Sequence, residues 1–118
     1  MAKYLILIYG DDEQWAAMSP GEQRELDEGH RLFQAEAGSA IVGGHQLEPA
    51  STATSLRADP AGRPTTTDGP FLETKEALGG YYVLEASDLD EVIGLAARLP
   101  EVSAGHSGVE IRPVVNHG

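Results

Sequence analysis

A chain of 118 residues with no cysteine is the size of one domain, long enough to bury a core unaided, and it excludes disulfides, thiolate metal sites and cysteine nucleophiles. Its 19 acidic side chains against 8 basic ones leave a formal net charge of -11, which repels phosphate backbones and anionic lipid, so neither nucleic acid nor a membrane surface is an expected partner. Hydrophobic residues at 41% and charged residues at 23% are globular proportions, and no apolar run approaches the ~20 residues of a membrane span. The expectation is a single soluble domain over residues 1–118. The absence of cysteine fits a reducing compartment, and Met1-Ala2-Lys3 leads into a strand without a signal peptide's cleavage site, so the expected location is cytoplasmic.

The first predicted element is a strand over Lys3–Tyr9, apolar on both of its period-2 faces, Tyr4/Ile6/Ile8 and Leu5/Leu7/Tyr9. Ser19-Pro20-Gly21-Glu22 then supplies an N-cap, a proline at the first helical position and a capping-box partner for a helix running to about Ala37. Leu26, His30, Phe33 and Ala37 share one face of it, which puts His30 on the buried side. A second strand follows over Ala40–Leu47, its Gly43-Gly44 allowing close backbone approach. Two Thr-rich runs, Thr52–Ala58 and Arg63–Thr67, flank the turn sequence Asp59-Pro60-Ala61-Gly62 and predict a polar hairpin beside the main sheet.

Thr67-Asp68-Gly69-Pro70 forces a bend, because Asp bonds backbone ahead of it, Gly allows positive φ and Pro fixes φ while lacking a donor. Gly80–Glu85 is the next predicted strand. Ser87-Asp88-Leu89-Asp90-Glu91 caps a helix that is expected to turn Leu89, Val92, Ile93, Ala96 and Leu99 inward and to end at Pro100. Val109–Val115 closes the series, with Pro113 favouring an edge or strand-terminal position.

The order β-α-β, hairpin, β-α-β predicts an α+β domain of ferredoxin-like, split βαβ type: an antiparallel sheet with an inserted β-hairpin and two helices on one face. Two helices leave the other face bare. Covering several hundred Å2 of apolar surface there contributes roughly 10 kcal/mol before association costs, so a homodimer with sheets face to face is expected.

Asp68-Gly69-Pro70-Phe71, Glu73-Thr74-Lys75-Glu76, Leu78-Gly79-Gly80-Tyr81-Tyr82, Asp88-Leu89-Asp90-Glu91 and Gly108-Val109-Glu110-Ile111-Arg112-Pro113-Val114 together resemble the DGPF branch of the YCII-related proteins. Lys3–Gly10, Trp15 and Ser19–Glu22 are similar to the same group, so the resemblance covers nearly the whole chain. It implies the dimeric α/β-barrel assembly. The group consists mostly of uncharacterised bacterial proteins, some beside or fused to alternative sigma factors, and includes a lactone dehalogenase and members with a proposed His–Asp pair.

Candidate chemistry concentrates in two places. His30, an imidazole on an apolar helix face, needs a hydrogen-bond partner and titrates where acid–base work is done; a His30–Asp68 pair would suit proton abstraction or elimination on a small carbonyl compound or lactone. The alternative is a satisfied core histidine. Asp68 reads as turn former, general base or metal ligand. Phe71 is a core plug or a substrate platform, and Glu73, Lys75 and Glu76 either line a ligand cleft between subunits or form a solvated charge run. His45, among glycines, is a further ligand-binding candidate. The four histidines have no local metal-ligand spacing, and there is no dinucleotide fingerprint, P-loop or nucleophile elbow, so neither metal nor cofactor is expected. Three functions follow: an acid–base enzyme on a small molecule, a non-catalytic sensor using the same cleft, or an interaction module, for instance one whose acidic surface meets a sigma factor.

Overall fold

Alternating apolar residues make Ala2–Gly10 the strand β1 at the centre of a four-stranded sheet, with Tyr4, Ile6 and Ile8 buried on one side and Leu5, Leu7 and Tyr9 half-buried on the other. The computed structural model describes residues 1–117. After β1 come α1 (Asp12–Ala16), α2 (Pro20–Ala37), β2 (Ile41–Gln46), β3 (Thr54–Ala58), β4 (Pro64–Asp68), β5 (Ala77–Ala86), α3 (Leu89–Ala96), α4 (Pro100–Ser103) and β6 (Ser107–Pro113). The main sheet has the order β2-β5-β1-β6 with every pairing antiparallel, while β3 and β4 form a sheet of their own. This is the split βαβ arrangement expected from the sequence. Pro113 lies at the end of edge strand β6, where its missing donor costs no ladder bond.

The helices are started by side chains. Asp11, itself buried, accepts from the Glu13 and Gln14 amides and opens α1, a helix the periodicity did not reveal. Ser19 and Glu22 complete the capping box of α2, each side chain accepting from the other's backbone N–H. At α3 the N-cap is Asp88, bonded to the Glu91 amide, and Glu91 in turn accepts from Ser87. These bonds hold the Glu22 and Glu91 carboxyls below their usual 4.5. Their support is therefore present above that pH and fades as acid takes the pH down through the lowered values.

One core lies between the helices and one sheet face. Phe33 and Ala37 of α2, Val92 and Ala96 of α3, and Leu99 pack on Tyr4, Ile6, Leu84 and Ala86. Leu89 and Ile93 do not point inward as the periodicity suggested; both are exposed, because an eight-residue helix touching α2 and the sheet buries only the narrow stripe Val92–Ala96. Pro100 is not a terminator but the first residue of α4. Gly29 is why this works: a Cβ there would lie 2.8 Å from Pro100 Cγ, so the bare α2 backbone lets α4 settle against it.

The opposite face of the sheet carries Leu5, Leu7 and Tyr9 of β1 beside Val83, Tyr81 and Leu78 of β5, and no helix covers it. The forced bend after β4 is present, with Gly69 at φ 111° and its N–H bonded to Ala53 O at 2.7 Å. Gly69→Ala is expected to destabilise by about 1–3 kcal/mol, since a Cβ disfavours that conformation while the bond holds it. Chemical denaturation checks this; a loss within experimental error would show that the bend relaxes freely. Among the described residues no helix is long and apolar enough to cross a membrane.

Candidate active site

A cleft of about 600 Å3 opens between α2 and the β2–β5 edge of the sheet. Its back wall is paved by glycines. Side-chain atoms at Gly10 or Gly79 would meet the Trp15 indole at 2.2 and 2.4 Å, so the absence of Cβ atoms lets α1 lay Trp15 flat against the strands. Gly79 is the extra residue of a bulge between the Ile8–Gly80 and Tyr9–Leu78 pairs, which aims this stretch of β5 at the indole. Gly44, at φ 152° and with room for no Cβ beside Tyr81 O, lines the same cleft.

The polar centre is a chain of four side chains. His30 Nε2 lies 2.7 Å from Glu101 Oε2, His30 Nδ1 lies 2.8 Å from the Tyr82 hydroxyl, and Gln34 Nε2 donates to that hydroxyl at 3.0 Å. Helical spacing puts His30 and Gln34 on one face of α2, and the Gly29–Pro100 contact brings Glu101 to the imidazole. A carboxylate only accepts, so Nε2 carries a hydrogen toward Glu101; in the neutral ring Nδ1 is then bare and accepts the Tyr82 O–H. All the donors thus run one way, from Gln34 through Tyr82 and His30 to Glu101.

Burial decides how these groups behave. Glu101 is 5% exposed and its second oxygen, Oε1, is buried with no hydrogen-bond partner. Such a carboxylate is held by the single bond to His30. Tyr82 stacks on His30 with ring centroids 5.8 Å apart and leans on Phe33 at 4.8 Å. Burial raises the Tyr82 hydroxyl above its ordinary 10.0, the Gln34 bond pulls it down, and the charge of Glu101 raises it again. Tyr82 therefore keeps its proton at neutral pH.

The candidates from the sequence divide sharply. His30 and His45 both line the cleft, His45 exposed and set edge-on to Tyr81 at 5.9 Å. Asp68, Phe71, Glu73, Lys75 and Glu76 do not line it, and all five are exposed. The expected His30–Asp68 pair is corrected: Asp68 ends β4, registered opposite Thr54 in the separate hairpin, and the carboxylate that meets His30 is Glu101. Phe71 is no core plug; it is 59% exposed, with the Arg57 guanidinium 3.8 Å above its ring. Sequence reasoning missed Glu101, Tyr82, Gln34 and Trp15 as a set. Each has only a local mark, a proline just before Glu101, a glutamine one turn beyond His30 and a glycine pair beside two tyrosines, and none of these marks joins the residues into one site.

Among the described residues no three His, Cys, Asp or Glu side chains gather as a metal site. Cleft and sheet define an α+β domain with a pocket into which the His30, Tyr82 and Glu101 side chains converge. The sequence profile of the YCII-related domain matches residues 2–116, and the chain belongs to that family. It is 34% identical over 115 residues to an uncharacterised protein of Rhizobium meliloti (strain 1021), covering 94% of this chain and 90% of that one. A solved structure similar to it is the 5-chloro-2-hydroxyhydroquinone dehydrochlorinase TftG of Burkholderia phenoliruptrix AC1100 in complex with 2,5-dihydroxybenzoquinone, at 19% identity and a TM-score of 0.44 over 97% of this chain and 95% of that one.

Proposed function

We propose that the chain is a homodimeric acid–base enzyme that binds a small carbonyl compound or lactone in the cleft and moves a proton on it. The observation that carries this reading is His30, held inside the cleft between the Tyr82 hydroxyl and the buried Glu101 carboxylate. A histidine kept only for packing needs no carboxylate, and a buried carboxylate with an unpartnered oxygen is costly unless it serves the ring beside it.

In the forward step a substrate proton passes to the Tyr82 oxygen as the Tyr82 proton passes to His30 Nδ1. The new imidazolium is stabilised across 2.7 Å by Glu101. His30 then donates through Nδ1–H to Tyr82, whose own hydrogen is free to turn into the cleft. Returning that proton to a neighbouring atom of the substrate, or to a departing group, completes an isomerisation or an elimination. Gln34 fixes the hydroxyl in both states by donating to its oxygen. Trp15 and the glycine-paved wall supply the apolar surface that excludes water.

Pairing of two copies is supported by the bare face carrying Leu5, Leu7, Tyr9, Tyr81 and Val83, since an apolar sheet face of this size is rarely left to water. An interaction module, for instance for a sigma factor, rests on the family resemblance and on the net charge of -11. A cleft with converging polar groups favours the small molecule.

The test is turnover of a panel of small lactones and carbonyl compounds by the unaltered protein and by His30→Gln, followed by NMR. The reading expects at least a ~100-fold loss in the variant with an almost unchanged melting temperature. Binding without turnover by the unaltered protein would make it a sensor, and a large fall in melting temperature with turnover intact would return His30 to a packing role.

A further inference from the structure

Beyond its root at residues 50–52, the segment between β2 and β5 packs little on its own chain. β3 and β4 hydrogen-bond to each other and to no strand of the main sheet, every residue of β4 is exposed, and Leu56, Phe71 and Leu72 are exposed by 60, 59 and 66%. A two-stranded hairpin is marginally stable by itself in water, so this one wants a surface to lie on. The radius of gyration shows the same projection, 16.3 Å where about 13.5 Å is usual for this length. The accessible surface of 8041 Å2 compares with about 6,200 Å2 for a folded monomer of this mass. An excess of about 1,900 Å2 per chain is what a subunit gives to an obligate homodimer.

We propose that residues 50–76 form an arm that lies across a second copy of the chain and closes the open side of that copy's cleft, with Phe71 and the Arg57 guanidinium stacked on it as the plug. The inference rests on the pairing of two copies proposed above, and adds that each site takes its outer wall from the other subunit.

Position and the Arg57 guanidinium favour this occupant. The arm leaves the domain after Pro49 and returns just before Gly79, both cleft-lining residues, and its root is tied down by the Ala50 N–H donating to Asp12 Oδ2 at 3.0 Å. It therefore starts at the rim of its own cleft and runs outward. The cleft presents the carboxylates Asp12, Asp27 and Glu101, while its one arginine, Arg31, is held by Glu28. The arm carries three of the eight basic side chains, Arg57, Arg63 and Lys75, beside four acidic ones, Asp59, Asp68, Glu73 and Glu76, so any complementarity rests on Arg57 and not on the arm's net charge. Arg63 is paired with Asp59, but among the described residues Arg57 has no carboxylate partner and sits instead on an exposed ring. An aromatic side chain carrying an unpaired guanidinium is the anchor that an acidic, half-apolar opening accepts. Glu73, Lys75 and Glu76 follow Phe71 on the same segment, and the plug would carry them to the mouth of the same cleft.

Because the chain has no cysteine, Leu72→Cys offers a single attachment point for a benzophenone maleimide without removing Phe71 or Arg57. Labelled subunits are mixed with 15N-enriched unlabelled ones, illuminated and mapped by mass spectrometry. The expected products join light and heavy chains and end near His45 or Leu47. Dimers in sedimentation with cross-links only inside one chain reject the arm and leave the pairing standing; monomers reject both. Arg57→Glu is expected to weaken the dimer at least tenfold where Arg57→Lys does not, and an unchanged dissociation constant for Arg57→Glu contradicts the proposal. None of these readouts depends on turnover, so they fail or succeed separately from the acid–base reading.

Discussion

Leu7→Glu is expected to leave the chain monomeric at micromolar concentration in sedimentation, where the proposed pairing expects the unaltered protein to sediment as a dimer. Leu7 is at the middle of β1, between Tyr81 on β5 and Glu110 on β6, on the face that no helix covers. A glutamate there enters an apolar contact twice per dimer and stands beside Glu110 each time. A buried, unpaired charge costs about 3–5 kcal/mol, enough for more than a thousandfold weakening. The helix-side core built on Tyr4 and Ile6 is not touched, so the monomer is expected to keep its secondary structure. A stable Leu7→Glu dimer would mean that this face is not where two copies meet.

The second large effect is Glu101→Gln, which is expected to reduce turnover by a factor of about 100 to 10,000 while moving stability little. Shape is conserved, but the amide can donate to His30 Nε2, and that favours the tautomer with its hydrogen on Nδ1. Tyr82 could then no longer give its proton to the ring. The carboxylate that stabilises the imidazolium is lost as well. Loss of the buried, unpartnered Oε1 charge offsets part of any cost to the fold, so the melting temperature is expected to stay close to that of the unaltered protein. Full activity in Glu101→Gln would show that the carboxylate is a bystander.

What could be read from the sequence was local or periodic. Ser19-Pro20-Gly21-Glu22 carries its capping box within four residues, and the strand pattern of β1 announces two apolar faces, so α2, the sheet and its bare side were legible. Gly69 at positive φ follows from the residues either side of it. The site was not legible in the same way. Asp68 and His30 stood out because each is locally conspicuous, but the hydrogen bond that forms joins His30 to a residue 71 positions away. Nothing in the sequence near Glu101 says that Gly29 will admit Pro100, and Pro100 as a helix stop and Pro100 as a helix start look alike until α4 is seen. Tyr82 was hidden for a related reason. On an apolar strand it reads as core, and only the packing of α2 over β5 shows its hydroxyl serving His30 and Gln34.

The 15N resonances of the His30 ring test the central claim most directly, because they report which nitrogen carries the proton and need no substrate. In the neutral form the relay predicts Nε2 protonated and Nδ1 bare, with Tyr82→Phe shifting the Nδ1 resonance and Glu101→Gln shifting Nε2. A ring protonated on Nδ1, or resonances indifferent to both substitutions, would contradict it.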